Sequence, residues 1–304
     1  METNRETMAK RQKKPRAPKP VLPSKAAEQY YRGELRSLVR TMAQELVNAL
    51  EPELKRLKRE YIADSLVTLD GWTDEILAVI RKVSSRFSSP LFDAQVARVA
   101  ASTISRAEAD NAEEFRDSVN RAVGVDFQMI AKPKGMTDYL EASTAENVNL
   151  IKSIPADYFS RVETLVLGGM KDGLAPTAIA RQIHDETGVN ARRAKLIARD
   201  QISKLNSDLT RQRQTAAGIE FYKSVDAGDV RVSGAPGGKY PNAKISCYGI
   251  ARQDIGYGPG IYKIADGATW NGVKGLHPGK HHILCRCVGL AMIPGVNYFP
   301  EKNG

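Results

Sequence analysis

Cysteine is scarce in this chain, three in 304 residues. An odd, small number excludes the paired disulfide framework of a small secreted domain and points to a reducing compartment. No run approaches the roughly 18 apolar residues of a membrane span, and the N-terminus lacks the apolar stretch of a secretory signal, so a soluble protein with no membrane partner is expected. Acidic residues are nearly missing from the first 25 positions, where only Glu2 and Glu6 face eight lysines and arginines. That stretch is too charged and too rich in proline to offset the entropy of ordering, and residues 1–25 are read as a flexible basic tail. Within it Lys10, Arg11, Lys13, Lys14 and Arg16 admit two readings, a solvated extension or an arm that touches nucleic-acid phosphates without reading sequence.

Histidine is equally rare, yet three of the four histidines and two of the three cysteines fall between His277 and Cys287. No other stretch gathers so many metal ligands or nucleophiles.

The chain is 42% hydrophobic and carries a net charge of +10, enough for a sizeable core in one or two domains. From 26 to about 65, Tyr31, Leu35, Leu38, Met42, Leu46, Leu50 and Leu54 recur at three- and four-residue steps, the period of an amphipathic helix, with Pro52 as its expected end or kink. A second stripe runs from Trp72 to Phe87 and a third from Phe92 toward Val123, stopped by Gly124. Residues 125–130 suit a short strand in a long connection. Three further helices are expected, from about Ser143 to Lys171, from Pro176 to His184 with Gly188 as its stop, and from an Asn190 cap to Gly218. Leu196, Ile197, Ile202, Leu205 and Leu209 are the expected buried stripe of the last. The same helix carries a basic face, read as solvated or as a docking surface for an acidic partner or for nucleic-acid phosphates.

Beyond residue 218 the composition changes. Ile219 to Val225 reads as a strand, Asp226 to Asp229 as a turn in which Arg231 pairs with Asp229, the glycine-rich 233–276 as loops, and Ile283 to Met292 as a final strand. The expected fold class is therefore α+β: a mostly α-helical N-terminal and central scaffold, residues 26–142 and 143–218, with a small loop-rich α+β C-terminal unit, residues 219–304. So thin a core commonly needs a staple.

Cys285 and Cys287 are two apart, which on a strand puts both thiols on one face, toward His277 and Cys247. The spacing admits a closed tetrahedral zinc site of structural type, or small core thiols with surface histidines. A catalytic arrangement of one thiol with a neighbouring histidine and Asp229 rests on sequence proximity alone, and no nucleophile elbow or phosphate-cradling glycine loop accompanies it. No catalytic residue is assigned and the chain is not read as an enzyme.

Three segments then stand together in order: Val189 through Arg211, containing Arg199-Asp200-Gln201 and Lys204-Leu205-Asn206; Phe221 through Val232, containing Asp229-Val230-Arg231-Val232; and His277-Pro278-Gly279 with Cys285-Arg286-Cys287. Over about residues 145–290 the chain resembles the phage Mu F-like head morphogenesis proteins, minor capsid components of tailed phages. Arg199, Asp200, Asn206, Asp229 and Arg231 are the residues that match the family's motifs. Members commonly carry a histidine or a cysteine pair just after the Asp-x-Arg-Val turn, where this chain has Ser233 to Gly238. A family-like metal site here therefore requires Cys247 to substitute.

The resemblance implies a low-copy structural protein that associates with the portal vertex and takes part in head assembly, and in DNA packaging or delivery. Expected partners are the portal protein, a major capsid or scaffolding protein, and non-specific DNA. The expected location is the virion head near the portal vertex, and the host cytoplasm during assembly. Two rival readings are kept: a nucleic-acid enzyme or toxin dependent on the Cys/His cluster, and a DNA-binding module led by the basic tail.

Overall fold

The computed structural model describes residues 16–63, 70–124, 132–172, 174 and 176–298. Most of these lie in five long helices: α1 (Lys25–Ala63), α2 (Asp70–Arg86), α3 (Pro90–Val123), α4 (Met136–Lys171) and α5 (Pro176–Ala216). A short helix, α6 (Cys247–Ile250), and five strands follow: β1 (Phe221–Val225), β2 (Ile261–Lys263), β3 (Ala268–Trp270), β4 (Val273–Leu276) and β5 (Val288–Met292). The fold is thus a helical scaffold with a small strand-and-loop C-terminal part. The proposed strand at 125–130 lies outside the described residues.

The chain divides into two compact units built from separated stretches. One comprises Ser24–Ala107 and Thr137–Ile202; the other comprises Glu108–Met136 and Ser203–Gly304, with the N-terminal residues up to Pro23. α3 and α5 each supply residues to both.

In the helical unit the stripe of α1 does what its period dictates. Tyr31, Leu35, Val39, Met42, Leu46 and Leu50 are buried against Ile76, Ile80 and Val83 of α2, Val96 of α3, and Ile151, Ile154 and Tyr158 of α4. Each fully buried aliphatic side chain contributes about 1.5–3 kcal/mol. Pro52 sits inside α1 on an exposed position and does not end it. Two expected helices prove to be one, because α5 runs unbroken through Gly188 and Asn190. A glycine inside a helix costs only about 1 kcal/mol, and the apolar stripe Ile179, Ile183, Ala194, Ala198 continues across it into the same core. Asn190 is buried and donates to the carbonyl and carboxylate of Glu186 instead of capping a new start. Leu196, expected in the stripe, is 48% exposed, since it stands two residues from each of the buried Ala194 and Ala198 and so faces the other side of the helix.

The second unit begins with a strap. Residues 16–23, expected to belong to a flexible tail, have no regular secondary structure and are docked on α3: Arg16 N–H donates to Arg121 O (2.9 Å), Arg121 Nε to Ala17 O (3.0 Å), Lys19 N–H to Ser118 Oγ (3.1 Å), and Leu22 N–H to Glu114 (2.8 Å). The ordering cost is offset because backbone groups are satisfied one by one and Val21 is buried. Beneath the strap lies a polar network that joins α3 to the end of α5. Asn111 Nδ2 donates to Asn206 Oδ1 (2.8 Å) and to Thr210 (2.9 Å), Arg213 donates to Asn111 Oδ1 (2.5 Å) and pairs with Glu108 (2.7 Å).

β1 is the central strand of an antiparallel sheet ordered β2-β1-β5. The register sets Tyr222 opposite Tyr262 and Ala291 on the inner face, where they share a core with Phe115 of α3, Ile219, Ile250, Ile264, Ala268 and Leu276. The stretch beyond 218 therefore completes its core with helical residues. β3 and β4 form a hairpin turned by Asn271 and Gly272, both at positive φ, as a tight type I′ connection requires.

Candidate metal centre

Four side chains converge beside this sheet. The ligand atoms of Cys247, His281, Cys285 and Cys287 all lie within 4.8 Å of one another, and all four residues are buried. Cys247 Sγ is 3.8 Å from Cys285 Sγ and 3.4 Å from His281 Nδ1. Tetrahedral coordination with Zn–S of about 2.3 Å and Zn–N of about 2.0 Å requires sulfur–sulfur separations of about 3.8 Å and sulfur–nitrogen separations of about 3.5 Å. The donor set and its spacing fit a divalent metal of this kind.

Local structure brings each ligand into place. Cys247 opens α6, whose first turn is capped by the Ser246 hydroxyl accepting from Gly249 N–H (2.8 Å). Its own N–H donates to Ser233 Oγ (3.0 Å), and Tyr248 N–H donates to Ser233 O (3.1 Å), so the loop after the Asp229 turn is fastened to the start of α6. His281 and Cys285 flank a tight turn closed by Cys285 N–H to His282 O (3.2 Å), in which Leu284 adopts a left-handed backbone with φ 62°. Such a conformation is costly for leucine and is held by its surroundings. Ser203 of α5 donates to Cys285 O (2.8 Å), anchoring the turn.

The two cysteines of the Cys285-Arg286-Cys287 triplet are not on the final strand, which begins only at Val288. They converge because Arg286 between them points the other way and grips Asp229 with both guanidinium nitrogens at 2.5 Å. Asp229 also accepts from Arg231 N–H (2.9 Å) and pairs with the Arg231 side chain (3.2 Å), as the sequence suggests. The hydrogen bonds from Arg286 hold the Asp229 carboxyl well below the usual carboxylate range. In the thiol set Cys285 is drawn strongly down by hydrogen bonds, first from Cys247 and then from Cys287. Cys247 is pushed up to about 12, first by that bond to Cys285, and Cys287 is pushed up, first by its contact with Cys247.

One expected ligand is replaced. His277 is not part of the group; it lies half-buried with its ring 6.0 Å from that of Tyr222, and His281 takes the fourth position. The His-x-x-x-Cys-x-Cys spacing of 281, 285 and 287 carried that signal, but the His277-Pro278-Gly279 turn drew attention four residues upstream. His282, which no sequence signal singles out, also stands beside the group. Its Nε2 reaches Cys247 Sγ (3.2 Å) and Ser233 Oγ (3.2 Å), while its Nδ1 donates to Ile283 O (2.7 Å).

Of the remaining motif residues, Asn206 ties the strap down, its Nδ2 donating to Val21 O (3.0 Å). Asp200 is buried and Arg199 half-buried on α5. Arg16 takes part in the strap through its backbone, and Lys10, Arg11, Lys13 and Lys14 lie outside the described residues. No helix among the described residues is long and apolar enough to cross a membrane.

No protein-family model matches the sequence. No solved structure matches it either. A curated protein from Haemophilus influenzae, described only as an uncharacterized protein, is 31% identical over 215 residues, which cover 70% of this chain and 46% of that protein. The chain thus spans about half the length of the curated relative it matches.

Proposed function

We propose that this chain is a structural minor head protein of a tailed phage, acting at the portal vertex, whose C-terminal unit is fastened by one zinc ion. The observation that carries the reading is the closed, buried Cys3His arrangement in a glycine-rich stretch. Four protein ligands fill a tetrahedral shell, so a metal bound there staples loops and has no open position for an activated water. The residues behind the Mu F-like resemblance support the same reading, because they do structural work: Asn206 holds the strap, Asp229 clamps Arg286, and Cys285 and Cys287 are ligands. A non-enzymatic role at the portal, in head assembly and in DNA packaging or delivery, follows from that resemblance.

The test has two arms. Elemental mass spectrometry of the purified protein is expected to find close to one zinc per chain, with a chelator-sensitive melt; His281→Ala loses the metal. Zinc-free protein with a chelator-indifferent melt would remove the staple. Independently, the portal protein encoded in the same genome should associate with this chain, and the lack of association in both assembled and unassembled portal would remove the head-assembly role.

A further inference from the structure

The N-terminal half of α1 carries a row of cations that nothing in its unit uses. Lys25, Arg32, Arg36 and Arg40 are spaced seven, four and four residues apart, which puts them on one side of the helix. Lys25, Arg36 and Arg40 are exposed and Arg32 is half-buried. None of the four has a hydrogen bond or ion pair among the described residues. The contrast within the same helix is informative. Near its other end, Lys55 pairs with Glu51, and Arg56 pairs with Glu53 and with Glu75 of α2. The acids of α1 itself are offset from the row, since helical spacing sets Glu34 on the opposite side and Glu28 about a quarter turn away.

Four like charges on one side of a helix repel one another, and a helix face of only cations is destabilising unless a counter-charge arrives. The row follows one helix, with a rise of about 6 Å between successive arginines and about 22 Å from end to end. A duplex presents one phosphate per about 1.7 Å of its axis, so a rod of this length faces roughly a dozen of them. A row of charge held on one helix matches a rigid polyanion, whereas a flexible acidic peptide loses conformational entropy on being straightened against it.

We propose that this face of α1 binds the phosphate backbone of double-stranded nucleic acid without reading its sequence. Lys25, Arg32, Arg36 and Arg40 each neutralise a phosphate, and counter-ion release provides the driving force. Lys25 closes the basic stretch 1–25 and opens α1, and the row includes none of Lys10, Arg11, Lys13 and Lys14 and none of the residues of the metal centre.

The experiment is fluorescence anisotropy of a labelled duplex of about 20 base pairs, titrated with the full-length protein across roughly 50–200 mM salt. Combined Lys25→Gln, Arg32→Gln, Arg36→Gln and Arg40→Gln substitutions are expected to weaken binding at least tenfold and to reduce the slope of log K against log salt by about 3 to 4, with helical content unchanged by circular dichroism. The same substitutions added to a chain already carrying Lys10→Gln, Arg11→Gln, Lys13→Gln and Lys14→Gln must give the same drop, which separates the helix from the tail. Absence of binding by the unsubstituted protein at the lowest salt, a slope untouched by the four α1 substitutions, or equal affinity for poly-glutamate would each overturn the proposal.

Discussion

Arg286 and Asp229 form a two-pronged ion pair 57 residues apart in sequence, and the arginine that makes it separates two cysteines of the metal centre. The pair fixes the direction in which the backbone turns between Cys285 and Cys287, and so fixes where the two sulfurs go. It also explains why an Asp-x-Arg turn and a Cys-Arg-Cys triplet stand in the same sequence.

Asp229→Asn keeps the shape and removes the charge. Partners that orient ligands are commonly worth 10- to 100-fold in metal affinity, and a loss in that range is expected from competition with a chromogenic chelator. The pH behaviour follows from the depressed carboxyl. A carboxylate lowered in the folded state stabilises it at all pH values above its ordinary range, about 4 for Asp, and the contribution fades only as pH falls further. The affinity deficit of Asp229→Asn should therefore be constant from pH 8 to about 5. A deficit that vanishes within that window would remove the ion pair as its cause.

His277 is a base whose lowered pKa gives the same direction of pH dependence in a higher window. Burial first, and then the nearby Arg211 cation, lower its pKa to about 4, so the folded protein holds it neutral. An unfolded histidine protonates near 6.5, and between these values the unfolded state binds the extra proton. Stability from this residue is complete above about pH 6.5 and is lost progressively as pH falls toward 4. In denaturant titrations, the drop in stability from pH 7.5 to 4.5 should be smaller in His277→Gln than in the parent by on the order of 1 kcal/mol, after allowance for partial solvent screening. Both proteins keep the metal ligands, so acid effects on the centre cancel in the comparison. An equal drop in the two would show that His277 titrates normally.

What the sequence could reveal divides along physical lines. The long helices were legible because burial of one face imposes a period, and Tyr31 to Leu50 and Ile179 to Ala198 obey it. Their ends were less legible, since Gly188 and Asn190 look like punctuation and only the core beyond them decides that α5 continues. The cluster was legible as a concentration of ligands and Cys247 as a member, but the choice between His277 and His281 depends on the turn at Leu284, whose left-handed backbone no local signal in a leucine announces. The docking of residues 16–23 was hidden for a similar reason: it rests on backbone hydrogen bonds to Ser118, Glu114, Arg121 and Asn206, and composition does not register those.

Gly249 tests how closely α6 is seated. A β-carbon there would stand 2.0 Å from the Trp270 ring, well inside contact distance, and the ring is part of the packed core of its unit. Gly249→Ala must displace either the indole or the helix that carries Cys247. Overpacking of this kind costs about 1–3 kcal/mol, readable as a lower denaturation midpoint with a blue- or red-shifted tryptophan emission. Gly249→Ala with parental stability and emission would mean that the helix yields freely.

Asn206 joins three elements through one amide. It donates to Val21 O in the strap, accepts from Asn111 of α3, and itself belongs to α5. Asn206→Ala leaves Val21 O without its partner in a buried site, a loss that typically costs about 1–3 kcal/mol, while Asn111 Nδ2 keeps Thr210 and the backbone carbonyl of residue 206 as acceptors. The loss therefore falls on the strap. The Arg213 pairs with Asn111 and Glu108 continue to tie α3 to α5, whereas the strap loses one of the bonds that hold its buried end. Hydrogen exchange should therefore accelerate first at Lys19 and Leu22, whose N–H groups donate to Ser118 and Glu114, while the amides in the middle of α3 remain protected. Uniform acceleration across α3 and α5 would instead assign Asn206 to the helix pairing, with the strap as a passenger.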